Sequence, residues 1–322
     1  MKFELTNKSS LEDLQALNFW QPEEKVLKTS ELPDSNMNQV IRIHTNQRTV
    51  IAKQSREFVR KFPQIPAPIQ RIETEKKFYE TVQESEFLNP YSPKIINWFP
   101  EHYLLITEDL GEVGDFSGLY SGEKLISDSE IKSLIDYLNH LHRLAPEDFP
   151  DNLEMRELNH EHIFNFPFEI ENGFDLDTIQ KGLQELSLRY KKDDSLKQKI
   201  HELGKRYLAP GSSLLHGDFY PGSWMSGNSG IKIIDPEFAF VGDREFDLGV
   251  FLAHADFAGM GIQLEMAITK HYSQDIDSKL LQSYRGVEIM RRLIGIAQLP
   301  LKLNLGQKEV LLERAKEMIM NS

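Results

Sequence analysis

The segment from Leu214 to Phe240, LLHGDFYPGSWMSGNSGIKIIDPEFAF, decides the interpretation of this chain. Two short apolar runs, SLLH and IKIID, are typical of β-strands, and the insert between them is rich in the turn residues Gly, Pro and Ser. Asp218 follows the first run and Asp235 ends the second. Because carboxylates are costly in a packed core, their place beside two strands indicates a functional site.

These carboxylates fit phosphoryl-transfer chemistry. One carboxylate beside a hydroxyl group can orient it or accept its proton, and a second, Asp235 backed by Glu237, can hold a divalent cation over a phosphate chain. Ser223 lies between them with a hydroxyl oxygen that is able to bind a metal. The alternative is that Asp218 and Asp235 are ordinary turn residues, since Asp is favoured in turns. The combined pattern of His-Gly-Asp, Ser and Asp-Pro-Glu favours the functional interpretation.

The composition of the chain narrows the function classes. Its 322 residues exceed the size at which single cores stop growing, roughly 250 to 300 residues, so two lobes are expected. The lack of cysteine excludes disulfides, thiolate metal sites and cysteine nucleophiles. A net charge of -13 argues against nucleic-acid and membrane partners. The N-terminal sequence lacks the apolar core of a signal peptide and no apolar run approaches roughly 18 residues, so we expect a cytoplasmic protein.

The first third of the chain predicts a small antiparallel sheet with one main helix. Alternating β-branched runs over residues 38–44 and 48–54 predict a hairpin. A helical pattern over residues 69–83 follows two prolines, and the runs KIINWF and HYLLIT predict two further strands.

The remainder of the chain is mostly helical in pattern. Ser127 and Glu130 have the spacing of a capping box before an amphipathic helix. Further helical patterns cover residues 178–190, 195–207, 246–257, 286–298 and 308–320. We therefore predict an α+β protein with an N-terminal lobe over residues 1–108 and a larger C-terminal lobe over residues 109–322.

Several segments resemble one family in the same order. HGDFYPGS, IIDPEFAF and FDLG resemble the catalytic and metal-binding segments of the aminoglycoside phosphotransferase-like kinases, and DPEFAF is similar to the Asp-x-Glu metal motif of the S-methyl-5-thioribose kinases. ELPDSNMNQVIRI, VIAKQ, LLITEDLG and IMRRLIGIAQ resemble their nucleotide-loop hairpin, phosphate-lysine strand, hinge and C-terminal helix. These matches cover about Glu31 to Gln298 and imply a bilobal, protein-kinase-like fold, with a nucleotide-binding N-terminal lobe and a catalytic and substrate-binding C-terminal lobe.

The resemblance also assigns roles around the opening segment. Asp218 corresponds to the catalytic carboxylate that orients the acceptor hydroxyl. The implied metal ligands are Ser223, Asp235 and Glu237. His216 and Asp247 are implied to support the catalytic loop, Asp247 through hydrogen bonds to the backbone.

The nucleotide side is implied by the N-terminal segments. Lys53 corresponds to the lysine on the α and β phosphates, although a lysine at a strand end is by itself more typical of an exposed position. Glu75 and Glu73 are both available as its partner; Glu75 lies on the apolar helical face, where an unpaired carboxylate is costly, so Glu75 is the predicted partner. Thr107 and Asp109 are placed at the adenine edge through their backbone groups, although a plain strand and turn explain the same residues.

Asn36 belongs to the nucleotide loop, where Pro33 and Ser35 replace the glycines of the thioribose kinases. Because proline removes a backbone N–H donor, this loop is expected to cover ATP less tightly or to accept a different nucleotide.

The acceptor side is implied by two regions. Arg291 and Arg292 correspond to a pair that reaches the sugar site, whereas paired arginines on a helix are otherwise typically solvated. In the catalytic loop, Phe219 and Tyr220 stand in a Phe-Tyr-Pro sequence where the thioribose kinases have Leu-His-Thr, and we expect the two aromatics to reshape the acceptor pocket.

The sequence thus predicts an ATP- and Mg²⁺-dependent small-molecule kinase acting on a hydroxyl group, with a sugar such as S-methyl-5-thioribose as the first candidate acceptor. One alternative is an aminoglycoside, choline or homoserine kinase of the same fold. A catalytically weak, nucleotide-binding pseudokinase is the other. A homodimer is compatible with the resemblance, although no apolar stripe in the sequence requires one.

Overall fold

The computed structural model describes residues 3–32, 37–112, 114–227 and 230–321. It divides into two compact units, Met1–Val113 with Gly227–Glu237, and Gly114–Ser226 with Phe238–Ser322. The segment Gly227–Glu237 therefore groups with the N-terminal unit, whereas the sequence analysis placed it in residues 109–322. The functional division into a nucleotide-binding lobe and a catalytic lobe stays a prediction.

Eleven strands and ten α-helices occur in the described ranges. The strands are β1 (Val26–Glu31), β2 (Gln39–Thr45), β3 (Thr49–Gln54), β4 (Phe58–Val59), β5 (Phe62–Pro66), β6 (Ile95–Phe99), β7 (Leu104–Glu108), β8 (Ser213–Leu215), β9 (Trp224–Gly227), β10 (Gly230–Ile233) and β11 (Phe240–Gly242). The helices are α1 (Leu11–Gln15), α2 (Arg71–Gln83), α3 (Asp128–Leu141), α4 (Leu153–His160), α5 (Leu183–Lys191), α6 (Asp194–Leu208), α7 (Arg244–Phe257), α8 (Gly261–His271), α9 (Ser278–Ile294) and α10 (Leu305–Met320).

The first unit is built on a five-stranded antiparallel sheet with the order β1-β2-β3-β7-β6. The predicted hairpin is confirmed, since β2 and β3 pair with Val40 opposite Lys53 and His44 opposite Thr49. The two further predicted strands are β6 and β7. Strand β1 was not predicted, because its sequence VLKTSE has one buried apolar residue, Val26, and an exposed Leu27 in place of a regular alternation.

One face of this sheet is apolar. Alternate residues of β2 and β3, among them Ile41, Ile43, Val50 and Ala52, are almost fully buried and form a core with residues of the N-terminal segment. Helix α2 buries Ile72, Phe78, Tyr79 and Val82, as its periodicity predicted. Strand β3 carries Lys53 and helix α2 carries Glu75, so these two elements determine where the two side chains lie.

The second unit is mostly helical around α7 and α9, which pack together and are buried along most of their lengths. The predicted capping box is confirmed, because the Ser127 hydroxyl accepts a hydrogen bond from the Glu130 N–H and the Glu130 side chain accepts one from the Ser127 N–H. Strand β8 pairs with β11, with Leu215 opposite Phe240.

The predicted helix bounds differ most for α9 and α5. Helix α9 begins at Ser278 because the Asp277 side chain accepts hydrogen bonds from the backbone of Lys279 and Leu280, and it ends before Gly295. Helix α5 begins after Gly182, which has a φ of 89°, so the predicted start at residue 178 was too early. Helix α8 was not predicted; its exposed Ile262 and Met266 obscure the amphipathic pattern. Within the described ranges, no helix is both long and apolar enough to cross a membrane.

Candidate active site

Lys53 is the centre of a charged cluster in the first unit. Strand β3 places it at a buried position, 7% exposed, and its Nζ lies 2.7 Å from Glu75 Oε2 and 2.5 Å from Asp235 Oδ1. The ion pair with Glu75 that the helical pattern predicted is therefore present. Glu73, the other available partner, is exposed on α2.

Tyr79 connects these carboxylates and was missed in the sequence. Its hydroxyl donates a hydrogen bond to Glu75 Oε1 at 3.3 Å and accepts one from the Asp235 N–H at 3.2 Å. Asp235 has a φ of 62°, in the left-handed region that few residues other than glycine adopt. The Tyr79 hydroxyl thus holds the backbone of Asp235 in a turn that directs its carboxylate to Lys53.

Glu237 is fixed by two buried polar side chains. Its Oε2 accepts a hydrogen bond from Asn38 Nδ2 at 2.8 Å and lies 3.3 Å from Arg71 Nε. Glu237 is 5% exposed and Arg71 is fully buried. The arrangement joins the start of β2, the start of α2 and the Asp-Pro-Glu motif.

Arg71 also donates hydrogen bonds to backbone carbonyls, one of which, that of Met37, belongs to the predicted nucleotide-loop segment. Its guanidinium donates to the carbonyls of Arg56, Pro68 and Met37 at 2.6, 2.7 and 2.9 Å. The sequence contained a signal for this residue: an arginine in the first turn of a helix opposes the helix dipole, which suggests a specific acidic partner. Asn36, Pro33 and Ser35, predicted in this loop, lie outside the described residues.

The charges of the cluster are unequal. Lys53 and Arg71 face three carboxyl groups, Glu75, Asp235 and Glu237, so full ionisation of the cluster would leave one negative charge in excess. Burial, together with the neighbouring carboxylates, raises the pKa of Glu75 to about 7 against the opposing effect of Lys53. Burial lowers the pKa of Lys53, but the three carboxylates outweigh it, and the net pKa is raised. A cation bound beside the cluster would favour its fully ionised form.

The donor set fits magnesium. Hard divalent cations take oxygen ligands, and Mg²⁺ is usually held by one or two carboxylates together with phosphate oxygens and water. Asp235 is half exposed on its side chain and Glu237 is oriented by Asn38 and Arg71, so two carboxylates are available at neighbouring positions. The described residues contain no group of three or more His, Cys, Asp or Glu that could hold a metal ion.

Thr107 and Asp109, the two residues predicted at the adenine edge, lie in β7 and directly after it. Thr107 lies inside the sheet, opposite Ile51 on β3 and Ile95 on β6. Strand β7 ends at Glu108, so the backbone leaves the sheet at Asp109. The Asp109 carboxylate is bound by Arg42, whose Nε lies 2.8 Å from Oδ2. Arg42 was not singled out in the sequence; it lies on β2, which β3 separates from β7 in the sheet, and it fixes the Asp109 carboxylate.

The predicted catalytic loop lies in the second unit, and Asp247 holds its backbone. Its Oδ2 accepts a hydrogen bond from the His216 N–H at 2.8 Å, and its Oδ1 accepts one from the Gly217 N–H at 3.0 Å. His142 Nε2 lies 3.2 Å from the same carboxylate, and all three side chains of His142, His216 and Asp247 are buried. These are the backbone contacts that the resemblance implies for Asp247.

Gly217 gives the loop its direction. Its φ is 83°, and a Cβ there would lie 2.1 Å from the carbonyl oxygen of Phe238. Only glycine meets both conditions. The turn brings Asp218 out of the buried strand, with its side chain 25% exposed.

The other loop residues have different environments. Ser223 Oγ donates a hydrogen bond to the Asp218 carbonyl at 2.9 Å, which leaves its oxygen lone pairs able to accept. Phe219 is fully buried and stacks on Tyr137, so the expectation that it shapes an acceptor pocket was wrong: it belongs to the core. Tyr220 is half buried, and the Arg292 guanidinium lies 5.2 Å from its ring centre.

The two arginines of α9 are buried, not solvated. Arg291 and Arg292 are 6% and 7% exposed, and their Nη2 atoms lie 3.5 and 3.2 Å from Asp218 Oδ1. Behind them, Glu288 binds the Nε of both. Glu288 was missed in the sequence, although a buried acidic residue one turn before two arginines is a recognisable ion-pair spacing.

Comparison with known proteins agrees with this architecture. A model of the phosphotransferase enzyme family matches residues 29–278. A methylthioribose kinase from Exiguobacterium sibiricum is 28% identical over 246 residues, which are 71% of this chain and 60% of the relative. A methylthioribose kinase from Bacillus cereus is 26% identical and is covered over 59% of its length. This chain thus spans about 60% of the length of the curated relatives it matches.

Two solved structures show the same fold. The choline kinase LicA from Streptococcus pneumoniae has a TM-score of 0.53 and 15% identity, with 92% of this chain and 94% of that chain covered. A spectinomycin phosphotransferase in complex with ADP and spectinomycin has a TM-score of 0.53 and 13% identity, with 92% and 93% covered. These likenesses confirm the α+β, protein-kinase-like fold predicted from the sequence.

The family model covers more than half of the residues, and the chain belongs to the phosphotransferase enzyme family. The predicted similarity to the S-methyl-5-thioribose kinases is confirmed by the curated relatives.

Proposed function

We propose that this protein is an ATP- and Mg²⁺-dependent small-molecule kinase that transfers the γ-phosphoryl group to a hydroxyl group of a small sugar. The observation that carries the proposal is the buried Lys53, held between Glu75 and Asp235 at 2.7 and 2.5 Å. A lysine in a buried ion pair with a helix glutamate is the arrangement that positions the phosphates of a nucleotide in kinases. Family membership and the methylthioribose kinase relatives support the same activity.

On the nucleotide side, Lys53 would bind the α and β phosphates, and Thr107 and Asp109 would lie at the adenine. Asp235 and Glu237, with Ser223, would hold Mg²⁺, which neutralises phosphate charge when bound. Arg71 and Asn38 keep Glu237 oriented through hydrogen bonds that need no nucleotide. The preformed cluster reduces the entropy cost of binding the donor.

On the acceptor side, Asp218 would accept a hydrogen bond from the reacting hydroxyl group and take its proton. The bond between the γ-phosphorus and the bridging oxygen to the β-phosphate breaks, and a bond from the acceptor oxygen to phosphorus forms. Asp247 supports this by fixing the backbone of His216 and Gly217 immediately before Asp218. Arg291, Arg292 and Tyr220 would contact the acceptor.

S-methyl-5-thioribose is the first candidate acceptor. The curated relatives are named methylthioribose kinases, and two buried guanidinium groups beside Asp218 do not favour a cationic acceptor such as an aminoglycoside or choline. Cytoplasmic location and a homodimer remain predictions from the sequence.

A substrate screen scored by ATP consumption tests the proposal. The purified protein is incubated with ATP and Mg²⁺ and with a panel of methylthioribose, other pentoses, choline, homoserine and aminoglycosides. We expect ATP consumption with methylthioribose or a related sugar. ATP binding measured by calorimetry without turnover on any acceptor would instead identify a pseudokinase, and turnover confined to amines would overturn the sugar assignment.

A further inference from the structure

Glu288 lies at the centre of a buried network and has no part of its own in the proposed steps. It is 1% exposed on α9, and its carboxylate accepts hydrogen bonds from Arg291 Nε, from Arg292 Nε at 2.8 Å and from His254 Nε2 at 3.0 Å. His254, on α7, is also buried, and its Nδ1 lies 2.5 Å from the Tyr120 hydroxyl. The network therefore runs from Tyr120 through His254 and Glu288 to both arginines.

We propose that Glu288 is a positioning residue for phosphoryl transfer, which holds Arg291 and Arg292 so that their outer nitrogens fix one oxygen of Asp218. This inference rests on the proposed function, because it assigns to Asp218 the orientation of the acceptor hydroxyl. Glu288 itself touches neither the acceptor nor the nucleotide in this scheme.

The atoms through which Arg291 and Arg292 bind their partners support the positioning role of Glu288. Each arginine gives its inner nitrogen, Nε, to Glu288 and its outer nitrogen, Nη2, to Asp218 Oδ1. A guanidinium is planar and rigid, so a carboxylate that holds Nε also determines where Nη2 of the same group lies. Glu288 thus sets the position of two donors at Asp218 without contacting Asp218.

Fixing Oδ1 has a consequence for the second carboxylate oxygen. Oδ1 accepts a hydrogen bond from Arg292 at 3.2 Å and forms an ion pair with Arg291 at 3.5 Å. These contacts restrict rotation of the Asp218 side chain, so Oδ2 takes a defined direction. An acceptor hydroxyl that binds Oδ2 would then meet an oriented partner. Errors of about 1 Å in such an orientation lower rates by about a hundredfold.

His254 and Tyr120 define the orientation of Glu288. Because His254 Nε2 donates to the Glu288 carboxylate, Nδ1 of the neutral ring is left to accept a hydrogen bond from the Tyr120 hydroxyl. The neutral ring adds no charge, so the two carboxylates and two guanidinium groups balance. Burial lowers the pKa of His254 to about 4, which agrees with the neutral form.

The test compares E288Q with a matched control, D256N. Asp256 is also a buried carboxylate of the second unit that pairs with a buried arginine, Arg285 at 2.7 Å, but its partner does not reach Asp218. For E288Q we expect kcat to fall by about tenfold to a hundredfold and the acceptor KM to rise, with the ATP KM unchanged. For D256N we expect a lower melting temperature and unchanged kinetic constants.

A purely structural role for Glu288 makes a different prediction. In that case both variants lose thermal stability, and both keep wild-type kcat and acceptor KM for the folded fraction. That result with an active wild-type enzyme would overturn the inference and leave the proposed function intact. A wild-type protein without turnover on any acceptor would overturn the proposed function instead.

Two further measurements keep the inference testable if E288Q does not fold. Y120F removes only the hydroxyl bonded to His254, and we expect a kcat about threefold lower with a wild-type ATP KM; an unchanged kcat contradicts the network.

¹⁵N-labelled arginine NMR gives a readout that does not depend on activity. Slowly exchanging Nε–H signals for Arg291 and Arg292 in the wild type support the anchoring by Glu288, and rapidly exchanging signals contradict it.

Discussion

The two charged clusters of this protein differ in their charge balance. The first, around Lys53, contains three carboxyl groups and two cationic side chains, so its full ionisation leaves one negative charge in excess. The second, around Asp218, contains two carboxylates, two guanidinium groups and the neutral His254, so its charges cancel. The difference agrees with the proposed Mg²⁺ site at the first cluster, whereas the second cluster contains as many cationic groups as carboxylates.

The largest effect is expected when the second cluster loses the carboxylate of Asp218. D218N should fold normally and lower turnover by roughly two orders of magnitude or more, because the acceptor loses its general base. Steady-state kinetics and circular dichroism check this. The surface variant D128N makes the same change of charge on α3 and should keep wild-type turnover. Turnover near the wild-type value in D218N would remove Asp218 from the mechanism.

Removal of Arg71, the buried arginine of the first cluster, should have the second largest effect, which is on the stability of the protein. R71M leaves Glu237 without its guanidinium partner and removes the guanidinium hydrogen bonds to the carbonyls of Arg56, Pro68 and Met37. We expect the free energy of unfolding to fall by about 3 kcal/mol. Urea denaturation measures it. The control is R206M, whose pair with Asp243 has an arginine side chain 56% exposed and should cost at most about 1 kcal/mol. Equal losses in the two variants would contradict the buried role of Arg71.

Loss of Lys53 should increase the charge excess of the first cluster and weaken nucleotide binding. For K53M we expect the Kd for ATP in the presence of Mg²⁺ to rise about tenfold to a hundredfold, since a hydrogen bond to a charged group is lost. Calorimetry measures it. K76M, which breaks an exposed pair with Glu80 on α2, is the matched control. An unchanged Kd in K53M means that the phosphates bind elsewhere.

The smallest effect concerns the neutral histidine of the second cluster. The pKa of His254 is lowered from 6.5 to about 4, so the unfolded chain binds its proton more readily than the folded chain does. This group therefore reduces stability as the pH falls from 6.5 towards 4, and the loss at about pH 5.5 should be about 1 kcal/mol relative to neutral pH. H254Q should lack this part of the pH dependence of unfolding, and an identical pH profile in the variant would argue against a buried neutral ring.

The elements predicted from the sequence are those with a regular local pattern. The hairpin of β2 and β3 and the inward face of α2 follow from periodicity, and the pairing of Glu75 with Lys53 follows from the cost of an unpaired carboxylate on that face. Strand β1 and helix α8 have exposed apolar residues that break the pattern. Their formation depends on tertiary packing, which a short window of sequence does not contain.

The residues that sequence reasoning missed act over long separations. Asn38 and Glu237 are 199 residues apart, and Tyr79 and Asp235 are 156 residues apart. A carboxylate such as Glu288 is recognisable as a partner for arginines on its own helix, but its contact with His254 on α7 is set by helix packing. The motifs therefore located the candidate site, whereas the side chains that hold it in place required the structure.

The geometry of Gly217 limits how this protein can be re-engineered. With its φ of 83° and the Phe238 carbonyl 2.1 Å from any added Cβ, a saturation library of the loop should recover glycine alone at this position. Phe219 has little freedom either, because it is fully buried. Tyr220 is half buried and beside Arg292, so it is the loop position at which a directed-evolution experiment has room to change acceptor preference without unfolding the protein.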